Sequence, residues 1–187
     1  MGESDLHAYL KKVGETWLIN QGCFLTGFEV PLNQLGLERF TDLDNKMVID
    51  VLGLGLRYGH DEELKGPYES GRIVSRGIEV KVSRSDFRNG FACSGCNYHY
   101  LLTPMRMIAP TEVPSGIGLI EYNKHKFSVD TSEDPQQRPY KISGLRVVKH
   151  PKYKMIPRFQ IDHVIANLAT KTFIPRLITE IIKNNKG

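Results

Sequence analysis

The chain has 187 residues, 40% apolar and 25% charged, an ordinary composition for one soluble globular domain. No apolar run approaches the roughly 18 residues of a membrane span, and the opening MGESDLHAYLKK lacks the basic-then-apolar order of a secretory signal, so the expectation is a cytoplasmic protein. The net charge of +4 is uneven: residues 1–140 hold 15 Lys+Arg against 19 Asp+Glu, and residues 141–187 hold 10 against Asp162 and Glu180.

Leu6, Tyr9, Leu10, Val13 and Trp17 follow helical spacing, with Ser4 to cap the helix and Gly22 to end it. Cys23 to Val30 reads as a first strand closed by Pro31, and Met47 to Leu56 as a second. Gly59 to Gly71 is polar and punctuated by Gly and Pro, which predicts an exposed loop. Arg72 to Val82 forms a third strand, after which Ser83 or Ser85 caps a short helix with Asp86 in its first turn. Tyr98 to Thr103, stopped by Pro104, is a fourth strand and Gly118 to Tyr122 a fifth. Residues 130–139 are a loop by composition. Two apolar stripes, Ile161-Val164-Ile165-Leu168 and Ile174-Leu177-Ile178-Ile181-Ile182, predict a helical end, with Pro175 in the first turn of the second helix.

Within these elements one pattern asks for chemistry. Asp50 lies in the apolar run Met47-Val48-Ile49-Asp50-Val51-Leu52, and Glu79 and Lys81 lie in Ile78-Glu79-Val80-Lys81-Val82. In a strand, residues i and i+2 share a face, so Glu79 and Lys81 point together while Ile78, Val80 and Val82 point into the core. An acid and a lysine among β-branched neighbours are costly to desolvate without a partner or a metal. The bland alternative is a strand-end acid in water and a Glu–Lys pair on an exposed sheet face.

Helix, strand, strand with Asp, strand with Glu-x-Lys, helix, strand resembles the PD-(D/E)xK, or restriction-endonuclease-like, nuclease superfamily over roughly residues 4–122. The longer run from Ile78 to Arg88, followed by Cys96 to Pro104, is similar to the MmcB-related DNA-repair proteins and related phage and bacterial nucleases. Ile49 stands where the superfamily name has proline. The resemblance implies an α/β fold with a restriction-endonuclease-like core: a mixed central sheet flanked by helices, followed by a basic helical C-terminal region over about 141–187, all in a single domain. It also implies a Mg²⁺- or Mn²⁺-dependent nuclease acting on DNA in repair, recombination or phage DNA processing. Asp50, Glu79 and the Val80 carbonyl would hold the metal, and Lys81 would orient or help deprotonate the attacking water.

The superfamily often adds a glutamate from the first helix, and Glu15 is the candidate. At 100° per residue it lies about 160–180° from the middle of the apolar stripe, which favours a plain surface acid; Glu29 on the first strand is a rival supplier. Arg84, Arg88 and Arg106 are candidate phosphate contacts, since guanidinium forks match phosphate oxygens. Two cuts in a duplex require two sites or two events, so a homodimer is one arrangement. The competing function is a nuclease-fold module that binds DNA or a partner without cutting.

Three cysteines do not suggest a disulfide framework. Cys93-x2-Cys96-x2-His99 has the look of a zinc motif, with Cys23, His125 or His150 as a fourth ligand. The spacing to His99 is short, however, and we read these residues as unconnected by metal.

Overall fold

The computed structural model describes residues 4–31, 48–56, 73–91, 95–130, 141–157, 161–162 and 164–170. Helix α1 (Asp5–Asn20) starts where the Ser4 hydroxyl accepts the His7 N–H at 3.3 Å, and Gly22, at φ 81°, turns the chain into β1 (Cys23–Pro31). Strands β2 (Val48–Leu56) and β3 (Ile73–Val80) follow, then the short α2 (Arg84–Arg88), β4 (Tyr98–Pro104) and β5 (Ile117–Tyr122). Strands β6 (Ser128–Asp130) and β7 (Lys141–Ser143) pair with each other, and β8 (Leu145–Lys149) returns to the main sheet. The predicted loops over 59–71 and 131–139 and the helical stripe from Ile174 to Ile182 lie outside the described residues.

The main sheet has the order β1-β2-β3-β4-β5-β8. Its first three strands are antiparallel, β3, β4 and β5 are parallel to one another, and β8 is antiparallel to β5. One face is covered by α1, whose Leu10, Val13, Trp17 and Leu18 pack on Val51, Ile78, Val80, Leu102 and Ile120. On the other face Leu101 and Leu119 meet Phe87 of α2 and Ile108 and Val113 of the connection after β4. Beside them Ile49, Leu52, Leu54 and Cys96 meet Val164 and Leu168 of the helical residues 164–170. Among the described residues no helix is long and apolar enough to cross a membrane.

Three expectations shift. The buried face of α1 is turned so that Lys11 and Gly14 join it while Leu6 and Tyr9 are exposed, because the helix packs along the sheet through Leu10, Val13, Trp17 and Leu18. The third strand ends at Val80 rather than Val82: the Asp86 carboxylate accepts the Val82 N–H at 3.2 Å and draws the backbone towards α2. The expected helical region over 141–187 opens instead with two strands, β7 and β8. Leu145 and Val147 pack onto the core beneath α1, which holds β8 as the sheet's edge. The Lys149 ammonium donates to the carbonyls of Pro110, Val113 and Pro114 and ties the β4–β5 connection to that edge.

Candidate metal and nucleic-acid site

Strands β2 and β3 pair in register from Leu56 opposite Ile73 to Val51 opposite Ile78. The ladder stops there, one step short of Asp50 and Glu79, whose carboxyls still lie close enough to interact. The Val80 N–H donates to the Asp50 Oδ2 at 2.8 Å, while on the other flank the Lys81 N–H still donates to the Leu102 carbonyl of β4 at 3.1 Å. So β3 stays with β4 as it parts from β2, and Asp50 fills the fork.

Glu79 is buried, and its Oε1 has no hydrogen-bond partner. Two residues earlier on the strand the Cys96 and Ile49 side chains close over Gly77, where a Cβ would stand 2.9 Å from the Cys96 Sγ and 3.0 Å from the Ile49 Cδ1. Burial pushes the Glu79 carboxyl up to about 8, the neighbouring Asp50 charge adds to the rise, and the Lys81 charge opposes it. The Lys81 Nζ itself is held by the Asp86 Oδ1 at 3.2 Å, and Asp86 is fixed in turn by the Val82 N–H. Asp50, Glu79, the Val80 backbone and Lys81 thus meet at the carboxyl end of β3.

Two side chains of α1 that the sequence reading missed reach this fork. His7 Nε2 lies 3.3 Å from the Val80 carbonyl and 3.5 Å from the Asp50 Oδ2. The nearly buried Lys11 places its Nζ 2.9 Å from the Glu29 Oε1 and 3.5 Å from the Asp50 Oδ1. Glu29 reaches that position from a left-handed backbone, φ 49°, a conformation that costs a glutamate roughly 1–2 kcal/mol. Glu15 is the third member of this flank, four residues beyond Lys11, but the Thr26 hydroxyl donates to its Oε1 at 2.8 Å. It therefore sits on β1, beside the cluster rather than in it.

The arginines divide. Arg84 forks onto Glu112, at 2.9 and 3.2 Å, on the surface. Arg88 adds its charge to the same glutamate and helps hold that carboxyl below its usual range, behind the larger effects of the Ala109 N–H and the Arg84 hydrogen bond. Arg106 lies beyond the end of β4, one strand from Glu79 and two from Asp50, where its N–H donates to the Glu121 Oε1 at 3.0 Å.

Cys93 lies outside the described residues. His99 is buried, and its Nε2 accepts the Cys96 N–H at 3.1 Å; burial, with the Lys154 charge, lowers its pKa to about 4. The lone pair that a metal would need is engaged, and the buried Cys96 thiol is pushed up by desolvation and stays protonated. The expected result is that chelator leaves the thermal unfolding curve unchanged and that elemental analysis finds no stoichiometric zinc. One zinc per chain, lost together with the fold, would reverse this reading.

Among the described residues no three His, Cys, Asp or Glu side chains are gathered as a cage for a metal. The donors at the fork are two carboxylates and a backbone carbonyl. That set suits Mg²⁺, which keeps several waters and takes one or two carboxylates together with substrate phosphate.

No family model matches the chain, and no curated protein matches it. A solved structure of a protein of unknown function from Silicibacter pomeroyi resembles it with 16% identity and a TM-score of 0.45, covering 87% of this chain and 81% of that one.

Proposed function

We propose that this chain is a metal-dependent nuclease of the PD-(D/E)xK type, hydrolysing DNA phosphodiester bonds with Mg²⁺ or Mn²⁺. The observation that carries the reading is the buried, unpartnered Glu79 Oε1 beside the Asp50 carboxylate in a fork of the sheet. Two carboxylates side by side in a low-dielectric setting call for positive charge, and hard oxygen donors match a hard divalent cation. The element order supports the same reading: one helix, three antiparallel strands, a short helix, then strands parallel to the third. That order is the one the resemblance to restriction-endonuclease-like proteins implies.

Asp50, Glu79 and the Val80 carbonyl would hold the cation. Held there, it would supply Lewis-acid polarisation of the phosphate and a lowered pKa for the attacking water. His7 fixes the Val80 carbonyl and the outer face of Asp50. Lys81, braced by Asp86, sets an ammonium beside Glu79, where it stabilises the charge that develops on the phosphate oxygens. DNA repair, recombination or phage DNA processing is the setting this chemistry suits.

The competing reading is an idle nuclease-fold module that grips DNA or a protein. It draws on Lys11, which already supplies Asp50 with a cation. Incubation with linear, nicked, branched and single-stranded DNA in Mg²⁺, Mn²⁺ or EDTA separates the two. The nuclease reading expects cutting in at least one metal series and none in EDTA, whereas binding without cutting in every series establishes the idle module.

A further inference from the structure

The carboxyl ends of β3, β4 and β5 share one edge of the sheet. Val80 is level with Leu102, and Thr103 is level with Glu121 and through it with Arg146, so one step past Val80 the sequence Lys81, Thr103, Glu121, Arg146 forms a row. Directly opposed residues point to the same face, so this row shares its face with Glu79. At its far end a pocket of about 300 Å³ opens, lined by Met105, Arg106, Glu121, Asn123, Lys126 and Arg146.

The pocket is built rather than incidental. Glu121 is buried, with one oxygen accepting the Arg106 N–H at 3.0 Å and the other the Arg146 Nη2 at 2.9 Å. Its carboxylate is satisfied and serves to aim the two residues. Arg106 holds a left-handed backbone, φ 59°, which is strained for a side chain of its size. Among the described residues the Arg106 guanidinium and the Lys126 ammonium have no partner. Three cations against one carboxylate leave an excess of two positive charges.

We propose that this pocket holds the terminal phosphate monoester of a nucleic-acid strand whose chain follows the row to Asp50 and Glu79. A monoester carries nearly two negative charges at neutral pH, which matches the excess, whereas an internal diester carries one. Guanidinium forks and an ammonium are the groups that recognise its oxygens. The strand's course rests on the nuclease reading; the pocket's preference for a phosphate end does not. Two strand spacings, about 10 Å, separate the Lys81 and Glu121 positions, a reach of only a nucleotide or two along one strand. The protein is then an end-directed enzyme that releases short products.

The test is fluorescence anisotropy in EDTA, where no cutting occurs, with one single-stranded DNA sequence carrying a 5′-phosphate, a 3′-phosphate or only hydroxyl ends. Wild type is expected to bind one phosphorylated form about tenfold more tightly than the hydroxyl form, and the favoured arm identifies the end. Arg106→Gly deletes the guanidinium while relieving the left-handed backbone, so the fold is retained, and Lys126→Gln removes the second free cation. In the double variant the preference should fall to within about twofold. Equal affinity of wild type for all three strands overturns the proposal, as does a preference that survives both substitutions. A preference that is present in a protein that cuts nothing supports the pocket and counts only against the nuclease reading.

Discussion

If the chain is the nuclease proposed above, Lys81→Ala and Asp50→Ala should each reduce Mn²⁺-dependent DNA cleavage by about 10²–10³-fold or more, the loss expected when a charge aimed at the transition state is removed from a water-poor site. The two variants fail for different reasons. Lys81→Ala removes the ammonium that Asp86 holds in place and leaves the acids intact, so DNA affinity in EDTA should stay within a few-fold of wild type. Asp50→Ala removes an acid that would lie beside the phosphates of bound DNA and frees the Val80 N–H, so binding in EDTA should hold or tighten. Asp86→Asn should give an intermediate loss, because the brace on Lys81 weakens while its charge remains. Rates and affinities measured on the same preparations decide the matter: equal cleavage by wild type, Lys81→Ala and Asp50→Ala would place the chemistry elsewhere or in a contaminant.

A second large effect is expected in stability rather than rate. Glu79 is raised to about 8 by burial and by Asp50, so folding is unaffected by it below the ordinary glutamate range, where both states are protonated. As pH rises towards 8 the unfolded chain loses this proton while the folded chain keeps it, and stability declines through that window; above it the cost is constant. Glu79→Gln removes the cost. The variant should match wild type near pH 4 and exceed it by a few kcal/mol at pH 8.5, at about 1.4 kcal/mol per pKa unit, with a melting temperature about 5–10 °C higher. Saturating Mn²⁺ should then reverse the order, stabilising wild type and leaving Glu79→Gln almost unmoved. Parallel melting curves at pH 4, 6 and 8.5 with and without Mn²⁺ would refute this assignment if the two proteins track each other throughout.

The fork was legible because its acids interrupt apolar strands: a carboxylate inside Met47–Leu52 or Ile78–Val82 has no cheap bland explanation. Glu121 carries the same signal inside Ile117–Tyr122, a strand buried at every position, but with no lysine two residues away it lacks the Glu-x-Lys pattern that marks Glu79. Glu15 was placed by an angle measured from a stripe that included Leu6, and the packed face of α1 lies elsewhere. Only the contact with the sheet fixes that rotation. His7 and Lys11 have the i, i+4 spacing of one helix flank, but a histidine and a lysine near a chain start read as solvated until a carboxylate is found across from them. Strand β8 was hidden by its charge: Arg146 and Lys149 were counted with the basic end, although Leu145 and Val147 already alternate. The register of β2 on β3, which makes Asp50 the neighbour of Glu79, depends on the connection between them and is not written locally.

Lys11 changes what it means for this site to acquire a metal. With its ammonium seated between Glu29 and Asp50, the acidic cluster already has a counter-ion, and uptake of a divalent ion, if the proposed site binds one, would be an exchange of one counter-ion for another. Because Glu29 would keep hold of the displaced ammonium, the charge would stay on the protein beside Asp50. Loading should therefore be slower than simple diffusion to an open carboxylate pair, and emptying should be self-assisted, since the tethered lysine competes at a fixed local concentration however dilute the protein becomes.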